Sequence, residues 1–505
     1  MIFNSFEFIL VFLPLTFLAF AAAERIAGWQ AAFKVIVVAS LVFYGQWSLG
    51  LLALLMVSVI SNYVIGNILI QSTKAGKPSV GLMIVGIIGN LAALGYFKYT
   101  NFFLDVANQV TGGGHSHLDI ILPVGISFYT FIQIGFLVEA HSGQAEQQSF
   151  TRYLTFATFF PCVTAGPLLL QREIFDQMND RTDSALDFRR IAAGVAMFSM
   201  GLFKKVILAD TIAPYANGAF NGVTAGQSID VLTAWAGSIA YALQLYFDFS
   251  GYTDMAVGLG AIFGIMLPLN FNSPFKALSI SDFWQRWHMS MTRFFTKFVY
   301  SPMAMSGMRK AVAGEYGPVR RYMVTGGWPI VLTMLVAGFW HGSGWPFIIY
   351  GLMHGLAIAI NNGWKHFNMP QPPAVVGWML TMSVVVSGLV VFRAPDLQTS
   401  MTILSSMWGV AAFVGATGTE VVSLALNEVV PLILFLGTIV LVAPNTQELV
   451  RNEWLSCSPK PAVFSRLSEK LFWRPSLGWS FAMTFAFVAA FACIQADSSF
   501  LYYKF

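Results

Sequence analysis

From Tyr322 to Trp364 the chain carries no aspartate, glutamate, lysine or arginine, and from Val231 to Phe275 it carries only Asp248 and Asp254. Stretches of this kind cannot be solvated by water along their length. In a bilayer they can be buried, but there every backbone N–H and C=O must find a partner inside the protein, so helices or closed barrels are the only spanning forms. Apolar runs recur at 5–23, 33–47, 50–70, 80–98, 119–138, 152–170, 190–209, 231–249, 252–268, 322–341, 345–362, 375–393, 401–416, 424–443 and 480–496. Many approach the roughly 20 residues that a helix needs to cross the hydrocarbon. The expected fold is an all-α polytopic membrane protein, one domain over 1–505, with about eleven to thirteen crossings. Pro123–Gly125 and Pro161–Pro167 interrupt two runs and mark re-entrant or kinked segments.

Charged residues make up 10% of the chain, against roughly 25% in soluble domains. The formal net charge of +4 is small for 505 residues and argues against a nucleic-acid partner. Basic residues gather at Lys74 and Lys77, at Arg172, Arg181, Arg189 and Arg190, at Arg309, Lys310, Arg320 and Arg321, and from Arg451 to Arg474. These are the expected cytoplasmic connections, with the N-terminus on the far side. The segment Phe8–Phe20 carries Glu7 and no basic residue ahead of it, so a retained first helix is expected rather than a cleaved signal. Cys162, Cys457 and Cys493 are scattered and form neither a disulfide framework nor a metal pattern, so no metal is expected.

An ionisable group kept inside a membrane segment is a functional candidate by default. His341 closes one apolar run within Gly338-Phe-Trp-His-Gly-Ser-Gly-Trp345, and a second run follows. A lone histidine in such a run ordinarily packs through hydrogen bonds. Here it lies at a glycine-rich break, which membrane-depth backbone tolerates only beside a cavity or inside protein. The peptide N–H groups of Gly342 to Gly344 could face a developing oxyanion, and imidazole titrates in the range that suits a general base. His354, on the following run, reads as packing, and His115 and His117 in a glycine-rich loop are weak metal candidates.

The segment 279–303 reads as an interfacial amphipathic helix, with Asp282 as N-cap and Gln285 completing a capping box. Helical spacing sets Arg286, Ser290, Arg293 and Lys297 on one face and Trp284, His288, Met291 and Phe295 on the other. Asp248 and Asp254 would point about 120° apart on a continuous helix, which implies anchoring roles rather than a shared-proton pair. No nucleophile elbow, phosphate loop or zinc-protease motif is present.

The blocks MIFNSFEFILVFLPL, GYFKYTNFF (95–103), LPVGISFYTFIQIGF (122–136), FFPCVTAGP (159–167), LQLYFDFSGYTDMAVGLG (243–260), SISDFWQRWHMS (279–290), GFWHGSGW (338–345) and FLYYKF (500–505) occur in one order along the chain. Together they resemble the membrane-bound O-acyltransferase family, in the bacterial branch that O-acetylates polysaccharides of the alginate and cellulose type. The resemblance implies helices around a central tunnel, with His341 as the catalytic histidine and His288 as the second characteristic one. It implies acetyl-CoA as a cytoplasmic acyl donor rather than a bound cofactor, the bacterial inner membrane as location, and an exported polysaccharide as acceptor. A periplasmic partner of the serine-hydrolase type and a polysaccharide synthesis and export complex would complete the system.

The catalytic expectation therefore rests on His341 and His288, with Arg286, Arg293 and Lys297 placed to meet the phosphates of coenzyme A. Two other readings compete. A lipid or glycan transporter or flippase would show paired intramembrane charges and internal repeats, and a non-catalytic scaffold of an export complex would tolerate loss of both histidines.

Overall fold

The computed structural model describes residues 1–179, 186–410, 420–450, 471–495 and 500–501. Arg181, Cys457, most of the basic stretch from Arg451 to Arg474, the ends of the runs 401–416 and 480–496, and Tyr502 to Phe505 of the terminal block lie outside the described residues. Among those described the chain is helical, and the β-type pairing is an isolated bridge between Ser228 and Val421. Among the described residues six helical segments are long and apolar enough to cross a bilayer: Phe8–Ala27, Leu49–Lys74, Val80–Thr111, Phe188–Thr224, Pro318–His341 and Ala374–Arg393. Shorter apolar helices run over Trp29–Gly45, Leu426–Val442 and Leu477–Ala492. Leu15, Leu18, Val85, Phe481 and Phe485 all point outward and exposed. In water such a surface would drive association; on a spanning helix it is the face for lipid tails.

Hydropathy runs and helices do not coincide one for one. The runs 231–249 and 252–268 meet in one helix, Val231–Ile262, which passes through Gly251 unbroken. The run 152–170 instead breaks into Phe150–Thr158, the short turn Phe160–Val163 and irregular backbone, all of it buried around Pro161–Pro167. Irregular backbone in a membrane protein needs such burial.

The chain forms two compact units. The first comprises, among the described residues, those within Met1–Leu202, Tyr252–Leu269 and Thr446–Leu501. Its helices Leu49–Lys74 and Val80–Leu94 are joined by reciprocal side-chain hydrogen bonds between Asn62 and Asn90, at 3.1 and 2.7 Å. Each amide thereby satisfies the other away from water, which an unpaired buried amide could not do without a large desolvation cost. The helix Ile126–His141 begins after Gly125, whose φ of +74° and abutment on the Val163 carbonyl leave no room for a side chain. Asp254 accepts a hydrogen bond from Thr446 at 2.7 Å.

The second unit comprises, among the described residues, those within Phe203–Gly251 and Asn270–Asn445. Its centre is the pair Trp328–His341 and Trp345–His366, linked by the extended residues Gly342 to Gly344. A side chain on Gly338 would collide with the Phe347 carbonyl, and one on Gly351 with the Met334 carbonyl. Small residues let the two backbones approach this closely, the usual basis of helix pairing where lipid supplies no hydrophobic drive. That close approach fixes the position of His341 at the end of the first helix.

A candidate acyl-transfer site

The segment carrying His288 is not the continuous amphipathic helix expected over 279–303. It consists of Ile280–Trp284, a break, Met289–Phe295, a π-helical turn Thr296–Tyr300, and a further helix Ser301–Ala313. Nor is Asp282 the N-cap. Ser279 holds that position and accepts from the Asp282 N–H at 3.2 Å, while the Asp282 carboxylate accepts from the Leu278 N–H.

The break is imposed by a residue before the segment. Asn270 takes the Met289 N–H on its carbonyl at 3.0 Å and the Ser290 N–H on its side-chain oxygen at 3.1 Å. These contacts satisfy donors that a continuing helix would have paired internally, and His288 sits at the corner with φ +45° and ψ +50°. A left-handed residue other than glycine is uncommon, and such conformations cluster at functional sites. The His288 ring is fully buried, with Nδ1 3.4 Å from the Asn270 oxygen.

The break also turns the His288 ring toward His341, with ring centroids 6.3 Å apart. Aromatic side chains enclose the pair. Phe249 stands edge-on to His288 at 4.8 Å. Trp340 and Phe392 lie 4.9 and 5.3 Å from His341, and Tyr350 lies 6.4 Å from it. Both imidazoles are thus held where water has little access, which strengthens any electrostatic interaction they make.

Beside the break lies a cavity of about 470 Å³ lined by Trp284, Gln285, Met289, Thr292, Arg293, Thr296, Lys297 and Ser301. The break therefore brings Arg293 and Lys297 together on one wall but not Arg286. The Arg286 guanidinium instead pairs with Asp282 at 2.7 Å and donates to the Asn272 carbonyl at 3.2 Å. Ser290, expected on the same polar face, is buried.

A second polar cluster was missed by sequence reasoning. Lys205, in the π-helical turn Lys204–Ala209, contacts Asp248 at 2.6 Å and Asp210 at 2.8 Å, and both Lys205 and Asp248 are buried. A lysine inside the apolar run 190–209 was the available signal. Asn270 in the run LPLNF was another, and no local pattern marks Phe249 or Phe392. Among the described residues no group of three or more His, Cys, Asp or Glu could hold a metal ion.

A sequence model of the membrane-bound O-acyltransferase family matches residues 137–404. The chain is 33% identical to a peptidoglycan O-acetyltransferase of Helicobacter pylori, over 100% of this chain and 98% of that protein. It is 34% identical to a protein named as probable alginate O-acetylase AlgI of Pseudomonas aeruginosa, over 81% of this chain and 75% of the other. A teichoic acid D-alanyltransferase of Streptococcus thermophilus is 29% identical over 48% of this chain and 57% of its own length.

Proposed function

The chain belongs to the membrane-bound O-acyltransferase family, and from that premise we propose that it moves an acetyl group from acetyl-CoA on the cytoplasmic side to a polysaccharide beyond the inner membrane. The observation that carries this reading is the meeting of His288 and His341, from separate elements, inside one aromatic enclosure. In the transfer the thioester C–S bond breaks and an ester C–O bond forms. His341 takes the proton of the attacking hydroxyl and delivers it to the departing thiolate, so no net proton is consumed. The same imidazole could instead carry the acyl group between the two half-reactions. His288 assists next to it. The extended Gly342 to Gly344 segment beside His341 could present N–H groups to the developing oxyanion.

The cavity lined by Arg293 and Lys297 is the proposed donor site. Its hydroxyls and two cations suit a phosphate-bearing thioester. Ser301, the last residue of the lining, opens the helix Ser301–Ala313, which carries Arg309 and Lys310; with Arg320 and Arg321 they form a basic stretch that the positive-inside rule assigns to the cytoplasm. Arg286, engaged with Asp282, is left out of the donor role. Replacing Arg293 and Lys297 together with glutamine should raise KM for acetyl-CoA by about tenfold or more, in line with two lost charge-assisted bonds, with a smaller change in kcat. Unchanged KM would remove the donor site from this cavity.

The acceptor is a polysaccharide of the cell envelope or exterior, since relatives are named for peptidoglycan and for alginate; a cellulose-type polymer belongs to the same chemical class. A periplasmic serine-hydrolase-type partner and the polymer's export complex would complete the transfer. Ester-bound acetate should be measured separately in peptidoglycan and secreted polysaccharide from cells with and without the gene. One fraction should lose acetate, and loss from neither would refute the proposal.

A further inference from the structure

His354 is the third buried histidine of the second unit, and neither its neighbours in sequence nor the reaction assigns it a task. The indole N–H of Trp284 donates to its Nδ1 at 3.2 Å, with both side chains buried. An indole can only donate, so Nδ1 must present a lone pair. The ring is then neutral, with its hydrogen on Nε2. On that side Gly388 makes room for the ring, because a side chain there would strike Nε2. The tautomer and the ring position are thus both set, one by Trp284 and the other by the helix Ala374–Arg393. Trp284 in turn is a wall of the 470 Å³ cavity. Tyr350, one turn before His354, packs on it at 4.5 Å and faces His341 at 6.4 Å.

We infer that His354 is a positioning residue for the acyl donor: it fixes the Trp284 indole as one wall of the donor cavity and never meets the reacting atoms. The inference rests on the cavity being the donor site. Trp284 belongs to the five-residue helix Ile280–Trp284, which ends just before the break and has little internal hydrogen bonding of its own. Its indole therefore depends on a tertiary partner to keep one orientation, and His354, on a helix of 22 residues, supplies it.

The test uses the full-length protein in membrane vesicles, with KM and kcat for acetyl-CoA read separately from release of the coenzyme A thiol. His354→Leu keeps the bulk and removes the acceptor, and should raise KM about five- to tenfold, as expected for losing one buried hydrogen bond, with kcat changed much less. His354→Asn sets a carbonyl oxygen near the place of Nδ1 and should restore KM. Trp284→Phe removes the N–H donor and should raise KM alike, and His354→Leu added to it should change nothing further. A merely structural histidine would instead lower the amount of active protein and leave KM alone. Unchanged KM in His354→Leu, or in Trp284→Phe should the first variant fail to accumulate, overturns the inference. If the Arg293/Lys297 double variant raises KM while these do not, only the role of His354 fails. If that double variant also leaves KM unchanged, the donor cavity itself is wrong.

Discussion

Replacing His341 with alanine is expected to lower acetyl transfer by about a hundred- to ten-thousandfold, the range typical of losing a general acid–base group, while the protein still accumulates in the membrane. The ring contributes packing against Trp340 and Phe392, so some stability will be lost with it. His341→Gln separates the two effects, because it keeps volume and hydrogen-bonding capacity but cannot exchange a proton near neutral pH. Both variants should be assayed for acetyl-CoA-dependent thiol release in vesicles and for ester-bound acetate in the isolated polymer. Wild-type acetylation by His341→Ala would end the proposal. Retention of thiol release with loss of polymer acetate would show that the thioester is opened without His341, which excludes the acyl-carrying alternative and leaves His341 a role in the later transfer.

The largest expected effect on stability comes from Lys205. Its amine lies between Asp248 at 2.6 Å and Asp210 at 2.8 Å, with 4% of the lysine and 1% of the Asp248 side chain exposed. Burying charges is tolerated only when they are paired, and removing one member of a buried pair typically costs about 3–5 kcal/mol. Lys205→Met takes away the cation and leaves two carboxylates close together. It should therefore lower the thermal unfolding temperature in detergent sharply, or prevent accumulation altogether. The double variant Lys205→Met with Asp248→Leu replaces the pair by apolar side chains and should recover much of the loss. The cluster matters to the site through the chain itself: Asp248 precedes Phe249, the ring that stands against His288. A Lys205→Met protein as stable as wild type would show that the pair contributes nothing.

Both outcomes bear on how far the sequence could be read. The segregation of charge, the length of the apolar runs and the glycine-flanked His341 are local properties of the chain. They were sufficient to specify a helical membrane protein and to single out one imidazole. The register of the 279–303 segment was not legible in the same way. Helical spacing set Arg286 beside Arg293 and His288 away from both, because spacing assumes an unbroken helix. Asn270 ends that assumption by taking the amides of Met289 and Ser290, and its side chain comes from outside the segment.

The membrane class was thus legible in the sequence, and His341 could be singled out as a candidate, since hydrophobicity and titratable chemistry belong to each residue wherever it lies. The meeting of His288 with His341, the separation of Arg286 from Arg293 and Lys297, and the burial of Lys205 against Asp248 were decided only by tertiary structure. Each depends on hydrogen bonds and close backbone approach between residues distant in the chain, and no periodicity within a single segment encodes them.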